Sequence, residues 1–139
     1  MIGKGDERIE LRYFGPAHTG GDTFVIFPAH RIAHAGDVFP NKGLPIMDKN
    51  NGGSGVAYPE TVEKAVKGLT GVDALINGHT EAQTTVADLR EYGAFLREFV
   101  NAARAAKKSG KTPAQFAAEW KTPAKFASFL ERPSHQSWS

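Results

Sequence analysis

The sequence predicts an α/β fold: one sheet, helices on its outer face, and a helical C-terminal tail. Three observations carry that expectation. Short apolar or alternating runs, RIELRYF, TFVIF, HRIAHAG and DALIN, have strand length. Two longer stretches repeat their apolar residues at helical spacing. The order is strand, strand, strand, helix, strand, helix, then tail, with no linker, so residues 1–139 are expected to form one domain.

The elements follow in order. In residues 8–14, Ile9, Leu11 and Tyr13 point one way and Glu10 and Arg12 the other, as in a strand with one wet face. TFVIF, residues 23–27, has the uninterrupted apolar character of a strand buried on both sides. Pro28 ends it, and residues 30–36 read as its hairpin partner. Residues 38–58 hold two Pro, four Gly and three Asn, a long irregular loop of the kind that carries function or motion. Pro59 suits a first helical position, and Val62, Ala65, Val66 and Leu69 give that helix one apolar face. After the strand 73–77, a helix over about 85–109 presents Val86, Leu89, Tyr92, Leu96, Phe99, Val100 and Ala103 on one side, and Gly110 stops it. The strand-rich core thus spans 8–80. The tail, 112–130, belongs to a small repeat, KTPAQFAAEW and KTPAKFASFL. Each unit opens with Thr-Pro, an N-cap and first turn. Thr112 with Gln115 also fits a capping box. Two short helices are expected there, docking Phe116, Trp120, Phe126 and Phe129, with frayed residues beyond.

Composition narrows the functions. Net charge is +2, and the basic residues are scattered, so neither nucleic acid nor a membrane surface is an expected partner. Cysteine is absent, which excludes disulfides and thiolate metal sites. The first residues lack the apolar core of a signal peptide and no run is long enough to span a bilayer. The expectation is a cytoplasmic protein if the chain is complete, or a leader outside these residues.

The chemistry-bearing residues fall at strand ends. His18 lies in the turn before TFVIF, Asp37 just past the next strand, and His79 just past DALIN. Strands side by side in one sheet would bring the three to one rim. Imidazole with carboxylate suits zinc, iron or manganese. Each residue also has a plainer reading. A histidine is commonly packed or solvated, and Asp22 and Asp37 sit in Gly-rich turns where aspartate holds backbone amides. His34 is expected to be packed and hydrogen-bonded, and His30 and His135 to be solvated. Gly52-Gly53-Ser54-Gly55 reads as a flexible loop rather than an anion cradle.

The motifs GPAHTGGDT, AHAGDVF and INGHT, in that order, resemble the second half of the metallo-beta-lactamase superfamily. The match covers about residues 8–80, and the long helix and KTP tail extend it. The resemblance implies half of an αββα sandwich. It implies that His18, Asp37 and His79 bind metal, with Asp37 bridging and standing as the catalytic residue, and that Asp22 lies behind them, fixing the loop of His18. The family's HxHxDH segment, which supplies the other ligands, occurs nowhere in these residues. Two functions are therefore carried forward. One is a metal-dependent hydrolase, weakly active as an isolated half. The other is a non-catalytic homodimer, or a truncated protein, keeping part of a metal site. In both, a half sandwich leaves an apolar sheet face bare, which a second copy or a separate chain supplying the missing half is expected to cover.

Overall fold

A four-stranded mixed sheet organises the chain. The computed structural model describes residues 1–129, and the expectations for Leu130, His135 and the last residues lie outside that range. The strands are β1 (Glu10–Arg12), β2 (Phe24–Phe27), β3 (Ile32–Gly36) and β4 (Ala74–Asn77), in spatial order β1-β2-β3-β4. The first two pairings are antiparallel and the third is parallel. A parallel pair needs a crossover. Here it runs through the 38–58 loop and α1 (Tyr58–Gly68). Helix α2 (Val86–Lys108) follows β4 and packs on α1. A last short helix, α3 (Pro113–Glu119), leads into the tail.

The two faces of the sheet differ. Alternate residues Phe24, Ile26, Ala33, Ala35 and Leu75 are buried in one core with Val62, Ala65, Leu69, Leu89, Tyr92, Phe95 and Leu96 of the helices. At Gly93, a methyl group would come within 2.9 Å of Val62 Cγ1, so glycine lets α1 and α2 approach closely. The opposite face carries a row across all four strands, Leu11, Val25, His34 and Ile76, paired in register. Ile76 is 45% exposed, Leu11 49%, and Tyr13 beyond it 54%.

This corrects two expectations. TFVIF is buried on one side only: Phe24 and Ile26 are inside, while Val25 and Phe27 are half-buried. In β1 the wetter face is the apolar one. Glu10 and Arg12 lie on the helix side, where Arg12 donates to the Gly68 carbonyl at 2.7 Å and so closes the end of α1.

The ends of α2 and α3 follow local rules. Thr85 caps α2 in a capping box with Asp88, and Thr112 caps α3 with Gln115. The second KTP unit departs from the expectation. It forms only a 3₁₀ turn, Ala124–Phe126. Its aromatic residues still dock: Phe129 stacks on Phe95 with ring centroids 4.7 Å apart, and Phe126 meets the same ring edge-on. Phe116 and Trp120 pack on Phe99. Among the described residues no helix is long and apolar enough to cross a membrane.

Candidate metal centre

Sheet direction decides which residues share a rim. β2 runs against β3, so the turn leading into β2 lies beside the end of β3. β4 runs with β3, so their ends lie together. His18, Asp37 and His79 therefore meet, although they come from distant parts of the chain. His18 Nε2 is 3.6 Å from Asp37 Oδ2, and His79 Nε2 is 2.8 Å from Asp37 Oδ1.

Each of the three is fixed by its own set of partners. His18 Nδ1 lies 2.8 Å from the Ile46 carbonyl oxygen. A carbonyl only accepts, so Nδ1 carries the hydrogen, and in the neutral ring the Nε2 lone pair faces Asp37. The turn beneath His18 is tied by Asp22, whose carboxylate accepts from the Thr19 amide at 2.8 Å and the Thr19 hydroxyl at 2.7 Å. Asp37 follows Gly36, which takes a left-handed φ of +52° and turns the chain out of β3. The buried Tyr58 hydroxyl donates to the Asp37 carbonyl at 2.7 Å. Burial among apolar neighbours pushes the Tyr58 phenol well above its ordinary pKa, so it stays a donor. The His79 amide donates to the Pro40 carbonyl at 2.9 Å, and Asn77 Nδ2 to the Phe39 carbonyl at 2.8 Å. Gly78 brings the strands together: a methyl group there would sit 2.7 Å from both Asp37 Oδ1 and the Gly36 oxygen.

The 38–58 loop is not the flexible segment its glycines suggest. The Asp48 amide donates to the His18 carbonyl at 2.8 Å, Gly20 to Asn51 at 2.8 Å, and Ser54 to Ala17 at 3.0 Å. Gly53 lies against the His18 and Asp48 carbonyls with no room for a side chain. Asp48 accepts from the Asn51 side chain and from the Asn50 and Asn51 amides. These bonds, the Asn51 side chain first, hold its carboxyl below the ordinary aspartate range. Residues 52–55 thus serve as the wall on which the HTGG turn is built. The Ile46 carbonyl, Asp48 and Tyr58 carry no motif signal. Asn77 and Gly78, inside INGHT, had one.

The other histidines are elsewhere. His34 is on the open sheet face, and its Nδ1 accepts from the Gly36 amide at 3.0 Å across the irregularity that ends β3. His30 is exposed in the 3₁₀ turn between β2 and β3.

Donor chemistry at His18 and Asp37 fits a zinc-like ion. Two ligand atoms bonded at about 2 Å around a tetrahedral ion lie roughly 3.3–3.6 Å apart, and the 3.6 Å between His18 Nε2 and Asp37 Oδ2 is such a spacing between two lone-pair atoms. The Ile46 carbonyl behind the ring is the usual outer partner of a metal-binding imidazole. His79 is at hydrogen-bond distance from the carboxylate instead. Among the described residues no three His, Asp or Glu side chains are arranged as a ligand set.

Comparison with solved structures identifies the fold. The sec-alkylsulfatase Pisa1 from Pseudomonas sp. superposes with a TM-score of 0.65 at 19% identity, over 85% of this chain and 20% of its own. DIM-1 metallo-beta-lactamase gives 0.54 at 19% identity, over 65% of this chain and 42% of its own. The chain carries part of a metallo-beta-lactamase fold. A third relative, TMB-1, gives 0.56 at 16% identity over 72% and 48% of the two chains. The chain thus spans less than half the length of these metallo-beta-lactamase-fold relatives. No protein-family model matches it, and no curated protein does.

Proposed function

We propose that the chain is the part of a metal-dependent hydrolase that holds one side of the metal centre. His18, Asp37 and His79 are its donors, and Asp22 steadies the His18 turn from behind. Zinc is the favoured ion, with iron or manganese acceptable to the same donors. One observation carries the reading: His18 Nε2 and Asp37 Oδ2 face each other at ligand spacing, with the imidazole oriented by the Ile46 carbonyl. Such an ion supplies Lewis-acid polarisation and an acidified water. Asp37 is then the group left to orient that water, and the clamped loop keeps His18 in place. The fold is that of hydrolases; the substrate class of the whole protein is part of the proposal.

The remaining donors come from whatever covers the open sheet face. A second copy is the favoured cover, because a two-fold contact through the row Leu11, Val25, His34 and Ile76 sets no lysine, arginine or carboxylate of that row against its own copy. A separate chain supplying the missing half is the other. The rival function, a non-catalytic dimer or truncated protein keeping part of a site, is favoured by the incomplete ligand set.

Zinc content and oligomeric state measured on one sample test the proposal. The expected result is a sedimenting dimer that binds zinc and releases it on His79→Ala. Zinc bound at full affinity by His79→Ala refutes the site, and a folded 15.0 kDa monomer at micromolar concentration refutes the dimer.

A further inference from the structure

Helices α1 and α2 leave a groove between them on the side open to solvent, with a volume of about 290 Å³. Its floor is apolar: Val62 and Gly93 are buried and Val66 is half-buried. Gly93 keeps the floor low, since a methyl group there would already press on Val62 Cγ1. The rim carries Glu63, Lys67 and Arg90, all exposed. These charges do not balance. Glu63 is taken by Arg97, whose Nε and Nη2 both donate to one carboxylate oxygen, at 3.1 and 2.6 Å. Among the described residues Lys67 and Arg90 have no carboxylate partner, whereas their neighbours Lys64 and Arg97 pair with Glu60 and Glu63. One unpaired cation on a surface is ordinary. Two at the rim of an apolar groove set a positive potential over a place where apolar surface can be buried.

We propose that this groove binds a small amphiphilic anion, a carboxylate on a short alkyl chain or ring. Its apolar part lies on Val62, Val66 and Gly93, and its charge is held by Lys67 and Arg90. The volume is at the small end of ligand pockets, which suits one chain or ring. A partner helix would need anchors spread over several turns. None of the groove's residues belongs to the strand-end rim, so the inference goes beyond the metal reading and does not rest on it.

Octanoate, butyrate and octanol are the probes, titrated calorimetrically while the amide resonances of α1 and α2 are followed by NMR. Octanoate should bind and shift the Gly93 amide, with butyrate and octanol both weaker. Lys67→Gln with Arg90→Gln should weaken octanoate about tenfold, the worth of two exposed ion pairs. Lys107→Gln with Lys108→Gln removes the same charge at the exposed end of α2 and should leave the affinity as in the parent. Val66→Thr should weaken octanoate and narrow its margin over butyrate. Affinity should be equal with and without zinc, and in His79→Ala. Melting curves of the groove variants should match the parent's. Octanoate that does not bind, that leaves the Gly93 amide unmoved, or that binds no better than octanol overturns the proposal. So do equal losses in the two charge variants. A poly-glutamate peptide bound in place of octanoate gives the groove to an acidic protein partner, and a dimer lost only with the Lys67 and Arg90 changes gives it to a second copy; either result also overturns it.

Discussion

The two faces of the sheet use the same alternation and end in opposite conditions. Phe24, Ile26, Ala33 and Leu75 lie under α1 and α2. Their sequence neighbours Val25, His34 and Ile76 look outward, joined by Leu11 from β1. Hydrophobicity does not distinguish the two sets. What does is the crossover helix, which covers the face on the side where it returns. β1 makes the point most clearly, since its charged residues sit on the helix side and its apolar ones in water. A strand patterned that way fits a sheet whose second face meets another layer.

Unequal mutational costs should expose this difference. Phe24→Ala should lower unfolding free energy by about 3–5 kcal/mol, the usual cost of truncating a buried aromatic residue. Ile76→Ala should cost under about 1 kcal/mol in dilute samples. Urea denaturation reads both, and equal costs would mean that the open face is already covered. Ile76→Lys should in addition abolish self-association, seen by sedimentation, with the helical signal unchanged.

The next effect separates the rim from the rest of the fold. Gly78→Ala forces a methyl group into Asp37 and Gly36, with an expected cost of about 1–3 kcal/mol. Zinc affinity should fall about 10- to 100-fold, as when a support of a metal ligand is lost. Gly71→Ala is the matched control. Its φ of +73° strains any side chain, but nothing lies within 4 Å of the new methyl group. It should lower stability and leave zinc affinity alone. Equal losses of affinity in the two variants would remove Gly78 from the site.

The smallest effect concerns the tie between the loop and the helices. Lys42, at the start of the loop, bonds Asp88 at 2.8 Å on α2. The Lys42 ammonium and the Thr85 cap hold the Asp88 carboxyl below its ordinary value of 3.8, and Asp88 raises Lys42 above 10.5. The depressed carboxyl binds its proton less readily folded than unfolded, so its contribution is complete above pH 3.8 and is lost as pH falls through the lower folded value. The raised ammonium contributes below pH 10.5 and loses that contribution as pH rises through its folded value. Stability should be flat between and decline at both ends, by under about 1 kcal/mol for this partly exposed pair. Melting curves against pH for the parent and Lys42→Met check it: the variant should lose the alkaline decline and part of the acid one.

Much of the fold was legible because its signals are local. Thr112 and Gln115 announce α3 within four residues. The second KTP unit shows the limit of such reading. It repeats the Thr-Pro start, but Lys125 stands where Gln115 stands in the first, and an ammonium cannot accept from a cap amide as the Gln115 side-chain oxygen does. Lys125 reaches Glu98 at 2.9 Å instead, and the chain makes one 3₁₀ turn. The positions of His18, Asp37 and His79 at strand ends could be read from their motifs. Their orientation could not, because it depends on the Ile46 carbonyl and the Tyr58 hydroxyl, contacts across long sequence separations. The loop misled for the same reason: its glycines mean close approach to the HTGG turn rather than freedom.

The parallel pairing of β3 with β4 has a consequence in time. β1, β2 and β3 form an antiparallel meander whose contacts are short-range, and such contacts close quickly. The turn of His18 and the exit of β3 at Asp37 are brought together by that step. His79 arrives only when the chain has closed the whole crossover, and closing a longer loop carries a larger entropic cost. During synthesis the first two residues can therefore meet while the third is still being made. In the proposed site, capture of an ion by all three donors would follow the docking of β4.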